Sequence, residues 1–226
     1  LKNKKVVVPA VSWITTLSPF LQFGFEVLLC DSNDKNLGVD TIELEKLFIK
    51  ENPSLLIIVH VLAHLNDMDE IYRLCEKYNV LLIEDACEAL GTSNVENKRA
   101  GSLSVAGSFS FYYGHHISTI EGGAVTTNDT KLYNLMLSIR SHGWSRDVDA
   151  FYKEQWKNEF NIDEVREFYA FYYPGFNLRS TDLNAFLGMS QLDRIDEIVS
   201  VRQNNYNLYN KYLDGKYWKQ ESQFIQ

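Results

Sequence analysis

Hydrophobic positions along the chain fall into two rhythms. Residues 6–9, 26–30, 55–61 and 80–83 are short, continuously apolar runs, the pattern of strands buried on both faces. Between them, apolar residues recur at three- and four-residue steps. Ile42, Leu44, Leu47 and Phe48 follow the capping sequence Asp40-Thr41-Ile42-Glu43 and stop at Pro53. Met68, Ile71, Leu74, Cys75 and Tyr78 follow Asn66 or Asp67 as a cap. The order predicts β-α-β-α-β and a parallel α/β sheet covered on both faces.

The middle of the chain reads differently. Residues 92–101 have hairpin-like composition, and 108–113 and 124–127 are predicted strands flanking a Gly-bounded loop that carries His115 and His116. Asp129 is expected to cap a helix to about residue 141, with Leu132, Leu135, Met136 and Ile139 on one face. Residues 144–173 are charged and aromatic, and helices are predicted over about 181–198 and 199–213.

Composition narrows the function. The 226 residues are 45% hydrophobic and 23% charged, which excludes a disordered tail or coiled coil. Lys plus Arg is 22 against 30 Asp plus Glu, a net charge of −8, which argues against a nucleic-acid or anionic-membrane partner. The longest apolar run, 55–65, is interrupted by His60 and His64, too short to span a bilayer, and no signal peptide is recognisable. Cys30, Cys75 and Cys87 have no CxxC spacing, so neither a disulfide framework nor a metal site is expected, and a reducing cytoplasm fits. The chain enters a strand almost at once from Leu1 and stops at Gln226 in mid-pattern, as expected of a piece of a longer protein cut at both ends.

Parallel α/β sheets bind ligands beyond the carboxyl ends of their strands. Asp85 closes such a strand: it accepts a hydrogen bond from a protonated heterocycle, coordinates a metal or merely caps the next turn. His115 and His116 are proton shuttles near neutral pH or surface loop residues. Ser108 and Ser110 alternate with Phe109 and Phe111, suiting a phosphate or simply a half-buried strand. Trp13 is a core residue or a platform for a planar ring. Arg140, His142 and Arg146 either oppose a negative helix end or bind phosphate. His60 and His64 read as strand-end polar residues. No Walker loop, G-x-G-x-x-G or G-x-S-x-G occurs.

Taken together, five phrases in order, Val8-Pro9-Ala10-Val11-Ser12-Trp13, Ile83-Glu84-Asp85-Ala86-Cys87-Glu88-Ala89-Leu90-Gly91, Gly107-Ser108-Phe109-Ser110-Phe111-Tyr112, Glu121-Gly122-Gly123-Ala124-Val125-Thr126-Thr127 and Pro174-Gly175-Phe176-Asn177-Leu178-Arg179-Ser180-Thr181-Asp182, resemble the DegT/DnrJ-type sugar-nucleotide aminotransferases and dehydratases, fold type I vitamin B6 enzymes. The resemblance implies the large domain of a pyridoxal-phosphate-dependent transferase fold over residues 1–198, a mostly parallel mixed sheet flanked by helices, with 199–226 opening a small C-terminal domain. It implies pyridoxal or pyridoxamine 5′-phosphate as cofactor. Asp85 would pair with the pyridine nitrogen, Trp13 stack on the ring, Glu88 lie near its hydroxyl and Ser110 bind its phosphate. Asn177 would reach that phosphate from the neighbouring subunit of a homodimer with shared active sites, and His142 and Arg146 would contact substrate.

Most members carry a lysine just after the Ser-Phe strand; His115 stands there, and no lysine lies between Lys98 and Lys131. That departure resembles the sub-group of 3-dehydratases acting on nucleotide-linked 4-keto-6-deoxyhexoses, with His115 as base and glutamate as amino donor. A serine is expected in that sub-group where Gly114 stands. The competing expectations are a sugar 4-aminotransferase and a non-catalytic paralogue.

Overall fold

Six strands form one sheet: β1 (Lys5–Pro9), β2 (Glu26–Cys30), β3 (Leu55–Val59), β4 (Leu81–Asp85), β5 (Ala106–Ser110) and β6 (Gly123–Thr126), in the order β2-β1-β3-β4-β5-β6. The first five run parallel and β6 is antiparallel to β5. The continuous apolar runs conceal a period of two. Val7, Leu56 and Ile58 face one core, and Val6, Val8, Leu55 and Ile57 face the other. In a computed structural model describing residues 1–213, the chain divides into two compact units. The sheet belongs to the first, which comprises Leu1–Thr126 and the chain from Phe186 onward; Thr127–Ala185 is the second.

In the first unit, α1 (Ser18–Gln22) brings Phe20 onto one face of the sheet, where Leu17 and Phe25 join it. On the other face, α2 (Thr41–Glu51) and α3 (Met68–Tyr78) bury Leu44, Phe48, Ile71 and Leu74. Each such side chain taken fully from water contributes roughly 1.5–3 kcal/mol. Asp40 accepts from the backbone N–H groups of Ile42 and Glu43, as its capping sequence predicts. Both helices close on a left-handed asparagine, Asn52 and Asn79. The strand at 55 ends at Val59, earlier than its hydropathy suggests, because a 3-10 turn takes over at Val61–Ala63.

A polar network lies inside this unit. Glu84 and His60 have fully buried side chains, with His60 Nε2 3.0 Å from Glu84 Oε2. Glu84 also accepts from Gly101 N (2.8 Å) and Leu103 N (2.6 Å). Asn66 N approaches His60 Nδ1 at 3.4 Å as a donor, so the ring proton sits on Nε2 and is donated to Glu84. Asn66 in turn donates to Val59 O and accepts from Val39 N. Gly107 makes this possible: a Cβ there would strike the backbone of Gly101.

The second unit holds α4 (Thr130–Ile139), α5 (Ala150–Glu159), α6 (Glu164–Glu167) and the start of α7 (Asp182–Leu192). Its core is Val148, Trp156, Ala170 and Tyr172. The fully buried positions of α4 are Asn134 and Ser138, flanked by the half-buried leucines on which the periodicity rested. Asn134 reaches the core by bonding to Thr130 O and Asp149 N. Gly143 has φ +86° and sits against Tyr173 O, where no side chain fits. In the first unit, α8 (Ile195–Tyr212) starts after a break at residues 193–194, not at 198–199. Of the expected 199–226 stretch, residues 214–226 lie outside the described residues.

Burial alone would raise the Glu84 carboxyl, but the hydrogen bond from His60, its attraction and the Gly101 N–H prevail and hold it below its ordinary 4.5. Glu84→Gln is expected to destabilise the protein by about 3–5 kcal/mol in urea denaturation, since it leaves a buried donor unpaired. Because folding lowers this pKa, the Glu84 contribution is complete above 4.5 and is lost as pH falls through the folded value. The variant should therefore show a flatter loss of stability in that acid window.

Candidate active site

The parallel strands β1, β3, β4 and β5 deliver their carboxyl ends to one edge of the sheet. Asp85 is the last residue of β4 and pairs in register with Ser108, two residues before Ser110 closes β5. One Asp85 oxygen does cap the turn, accepting from Cys87 N at 3.1 Å. The other accepts from Thr16 Oγ1 at 3.3 Å. Asp85 forms no salt bridge among the described residues, so its charge is oriented but unneutralised. Thr16 was not singled out from the sequence. It also donates its N–H to Trp13 O at 3.0 Å, which ties the loop after β1 to the end of β4.

Trp13 is 75% exposed, which overturns the core reading and leaves its ring available as a platform. Ser110 Oγ accepts from Tyr112 N at 3.3 Å, and Tyr112 O accepts from His115 N at 3.0 Å. The His115 ring lies 6.3 Å from that of Tyr112, edge to face. A Cβ on Gly114 would meet only the Tyr112 ring, at 3.8 Å, so the position has room for a hydroxyl side chain.

Glu88 and His115 share a cavity of about 260 Å³, with His116 and one face of α8; Trp13, Asp85 and Ser110 are not among its walls. Glu88 Oε2 accepts from Leu62 N at 2.7 Å and so pins a turn in which Leu62 and Ala63 both take left-handed backbone angles, φ 52° and 69°. Periodicity gives no sign of that turn. Burial pushes His64 and His116 down to about 4, Arg202 and His115 adding to the effect on His116, so both are uncharged at neutral pH. Burial, with Asp85 adding to it, pushes the Cys87 thiol up to about 12. His60, read as a strand-end polar residue, proves to be the buried partner of Glu84.

The remaining predicted residues belong to the second unit. Asn177 pairs with Ser141 in an isolated bridge, and Arg179 Nη2 lies 3.5 Å from His142 Nε2. His142 has φ +66° and donates its N–H to Phe176 O. Arg146 lies over the Trp144 ring, 5.5 Å from its centre.

An unneutralised carboxylate at a strand end, joined through Thr16 to an exposed indole and paired in register beside a serine-bearing strand, fits a flat, protonated, phosphorylated heterocycle. The description "DegT/DnrJ/EryC1/StrS aminotransferase family" matches residues 1–224. The chain belongs to this family. It is 34% identical to the GDP-4-keto-6-deoxy-D-mannose 3-dehydratase of Yersinia pseudotuberculosis over 95% of this chain and 53% of the relative. An E. coli GDP-4-keto-6-deoxy-D-mannose-3-dehydratase with bound hydrated PLP superposes with TM-score 0.87 at 32% identity, covering 99% of this chain and 57% of that one. A GDP-4-keto-6-deoxymannose-3-dehydratase with a trapped PLP-glutamate geminal diamine does so with TM-score 0.87 at 31% identity, with the same coverage. The chain therefore spans about half the length of the curated relatives it matches. The fold is that of the pyridoxal-phosphate-dependent aminotransferases, and no helix among the described residues is long and apolar enough to cross a membrane.

Because Trp13 packs against so little, Trp13→Ala should change stability by less than about 0.5 kcal/mol in thermal or urea unfolding. A loss of several times that would mean the indole is structural.

Proposed function

We propose that the full-length protein is a pyridoxal-phosphate-dependent 3-dehydratase of a nucleotide-linked 4-keto-6-deoxyhexose, with GDP-4-keto-6-deoxymannose the favoured substrate, in deoxysugar biosynthesis. The observation that carries this reading is His115. An imidazole follows β5 where the family's lysine is expected, and it lines a cavity with Glu88. In this reading residues 1–198 belong to the cofactor-binding domain and 199–226 open the small domain.

Asp85 holds the cofactor ring nitrogen, its carboxylate fixed by Thr16 and Cys87 N. Trp13 covers the ring face, Glu88 lies at the ring hydroxyl and Ser110 takes the phosphate. A second copy of the chain supplies Asn177 to that phosphate, which makes the protein a homodimer with shared sites. His142 and Arg146 contact the substrate. When bound, pyridoxamine phosphate supplies an amine for the C4 carbonyl of the sugar and an electron-poor ring that takes up negative charge. The His115 imidazole carries a proton to the departing oxygen at C3 of the sugar, a task that suits a ring nitrogen able both to take up and to give a proton. Unlike lysine, it has no amino group with which to bond to the cofactor aldehyde. Glutamate restores the amine form. The protein works in the cytoplasm.

Incubating the full-length protein with pyridoxamine phosphate, glutamate and GDP-4-keto-6-deoxymannose should give a 3-deoxy product detectable by mass spectrometry. Its absence, with the cofactor bound, overturns the proposal. His115→Lys should abolish most elimination and let borohydride fix the cofactor to the chain, whereas the wild type should show no such adduct. A wild-type adduct would favour the sugar 4-aminotransferase reading.

A further inference from the structure

The cavity that holds His115 has a wall that the proposed chemistry leaves unused. Val199, Arg202, Gln203 and Tyr206 lie at i, i+3, i+4 and i+7 on α8, so one helix face lines the cavity. Three arginines are held by an acid three residues away: Arg73 by Glu70, Arg166 by Asp163 and, at the start of α8 itself, Arg194 by Glu197. For Arg202 the corresponding places hold Ile198, Val199, Asn205 and Tyr206, none acidic. Arg202 has no salt bridge among the described residues, in a chain whose net charge is −8.

Two residues that line the cavity carry buried polar atoms, His116 Nδ1 and Tyr206 Oη, with no hydrogen-bond partner among the described residues. Arg202 lies close enough to bear on the basicity of His116, after the larger effect of burial. At about 260 Å³, near the lower end of the roughly 300–1,000 Å³ of ligand pockets, the cavity has room for a small acid.

We propose that Arg202 is the carboxylate-binding residue for the small dicarboxylic amino donor, holding it in the cavity that His115 and Glu88 line. This rests on the transamination half of the function proposed above. The guanidinium offers paired N–H donors to the two carboxylate oxygens, a geometry lysine cannot reproduce. Bond making and breaking stay at the cofactor; Arg202 fixes the donor's position.

The test is calorimetric titration of glutarate, a dicarboxylate with no amine to react, into the full-length holoenzyme. R202Q should raise the Kd for glutarate about 10- to 100-fold, the loss of a charge-assisted hydrogen bond, with R202K recovering part of it. R166Q removes an equal charge from a paired position and should leave the Kd unchanged, as should R202Q the Kd for GDP. Undiminished glutarate affinity in R202Q and R202K overturns the assignment, and so does a wild type that fails to bind glutarate. A loss of GDP affinity instead of glutarate affinity also overturns it, by giving Arg202 to the nucleotide phosphates. If glutarate binding depends on Arg202 while the wild type makes no 3-deoxy product, the subsite stands and the dehydratase reading falls.

Discussion

A buried carboxylate must be fully partnered or it breaks the core that holds it, and Glu84 is partnered on every side. The His60 ring and the Gly101 and Leu103 N–H groups converge on its two oxygens, and Asn66 fixes the ring from behind. These partners come from the end of β3, the turn before α3 and the loop that leads into β5. One side chain therefore sets three connections at the carboxyl edge of the sheet. Successive residues of a strand point to opposite faces, so fixing Glu84 inward aims Asp85 outward at that edge. The charge at the candidate site and the charge that serves the fold are neighbours in sequence and separated by the thickness of the sheet.

The same division appears one turn later. Glu88 spends one oxygen on the Leu62 N–H, holding two non-glycine residues in left-handed conformations beside the cavity. Left-handed backbone at two consecutive non-glycine residues costs of order 1–3 kcal/mol each, and a charge-assisted hydrogen bond offsets only part of that. The strain persists because the surrounding turns over-determine it. It gives the cavity a wall of fixed shape on the side facing α8.

The parallel core was legible in the sequence because its signals are local. Asp40, Asp67 and Asp129 each cap the helix that follows them, and the apolar runs become β1 to β4. Asp85 was found because a carboxylate after an apolar strand is conspicuous, and His115 because a familiar motif surrounds it. Thr16 and the Glu84–His60 pair were not legible. Their meaning lies in partners 69 and 24 positions away, and an isolated threonine or a glutamate beside a more conspicuous aspartate carries no periodicity. Trp13 shows the converse limit: its residue type argues for the core, and only the fold reveals that the loop after β1 leaves it outside. On α4, periodicity named the leucines while the fully buried positions went to Asn134 and Ser138; Asn134 is buried at little cost because its side-chain amide bonds two backbone groups, whereas Ser138 Oγ has no hydrogen-bond partner among the described residues.

Retaining the frame while changing one residue is what gives His115 its weight. The turn that carries it is set by backbone hydrogen bonds from His115 N to Tyr112 O and from Thr119 N to Phe111 O, neither of which depends on the side chain at 115. Gly114 adds nothing that would obstruct a longer neighbour, since a Cβ there touches only the edge of Tyr112. A loop whose geometry is indifferent to its central side chain can exchange a primary amine for an imidazole without refolding. The exchange removes a group able to bond covalently to an aldehyde and keeps one able to carry a proton. In the proposed reading, the fold specifies where the reacting group sits, and the single side chain at 115 specifies which kind of chemistry that place can support.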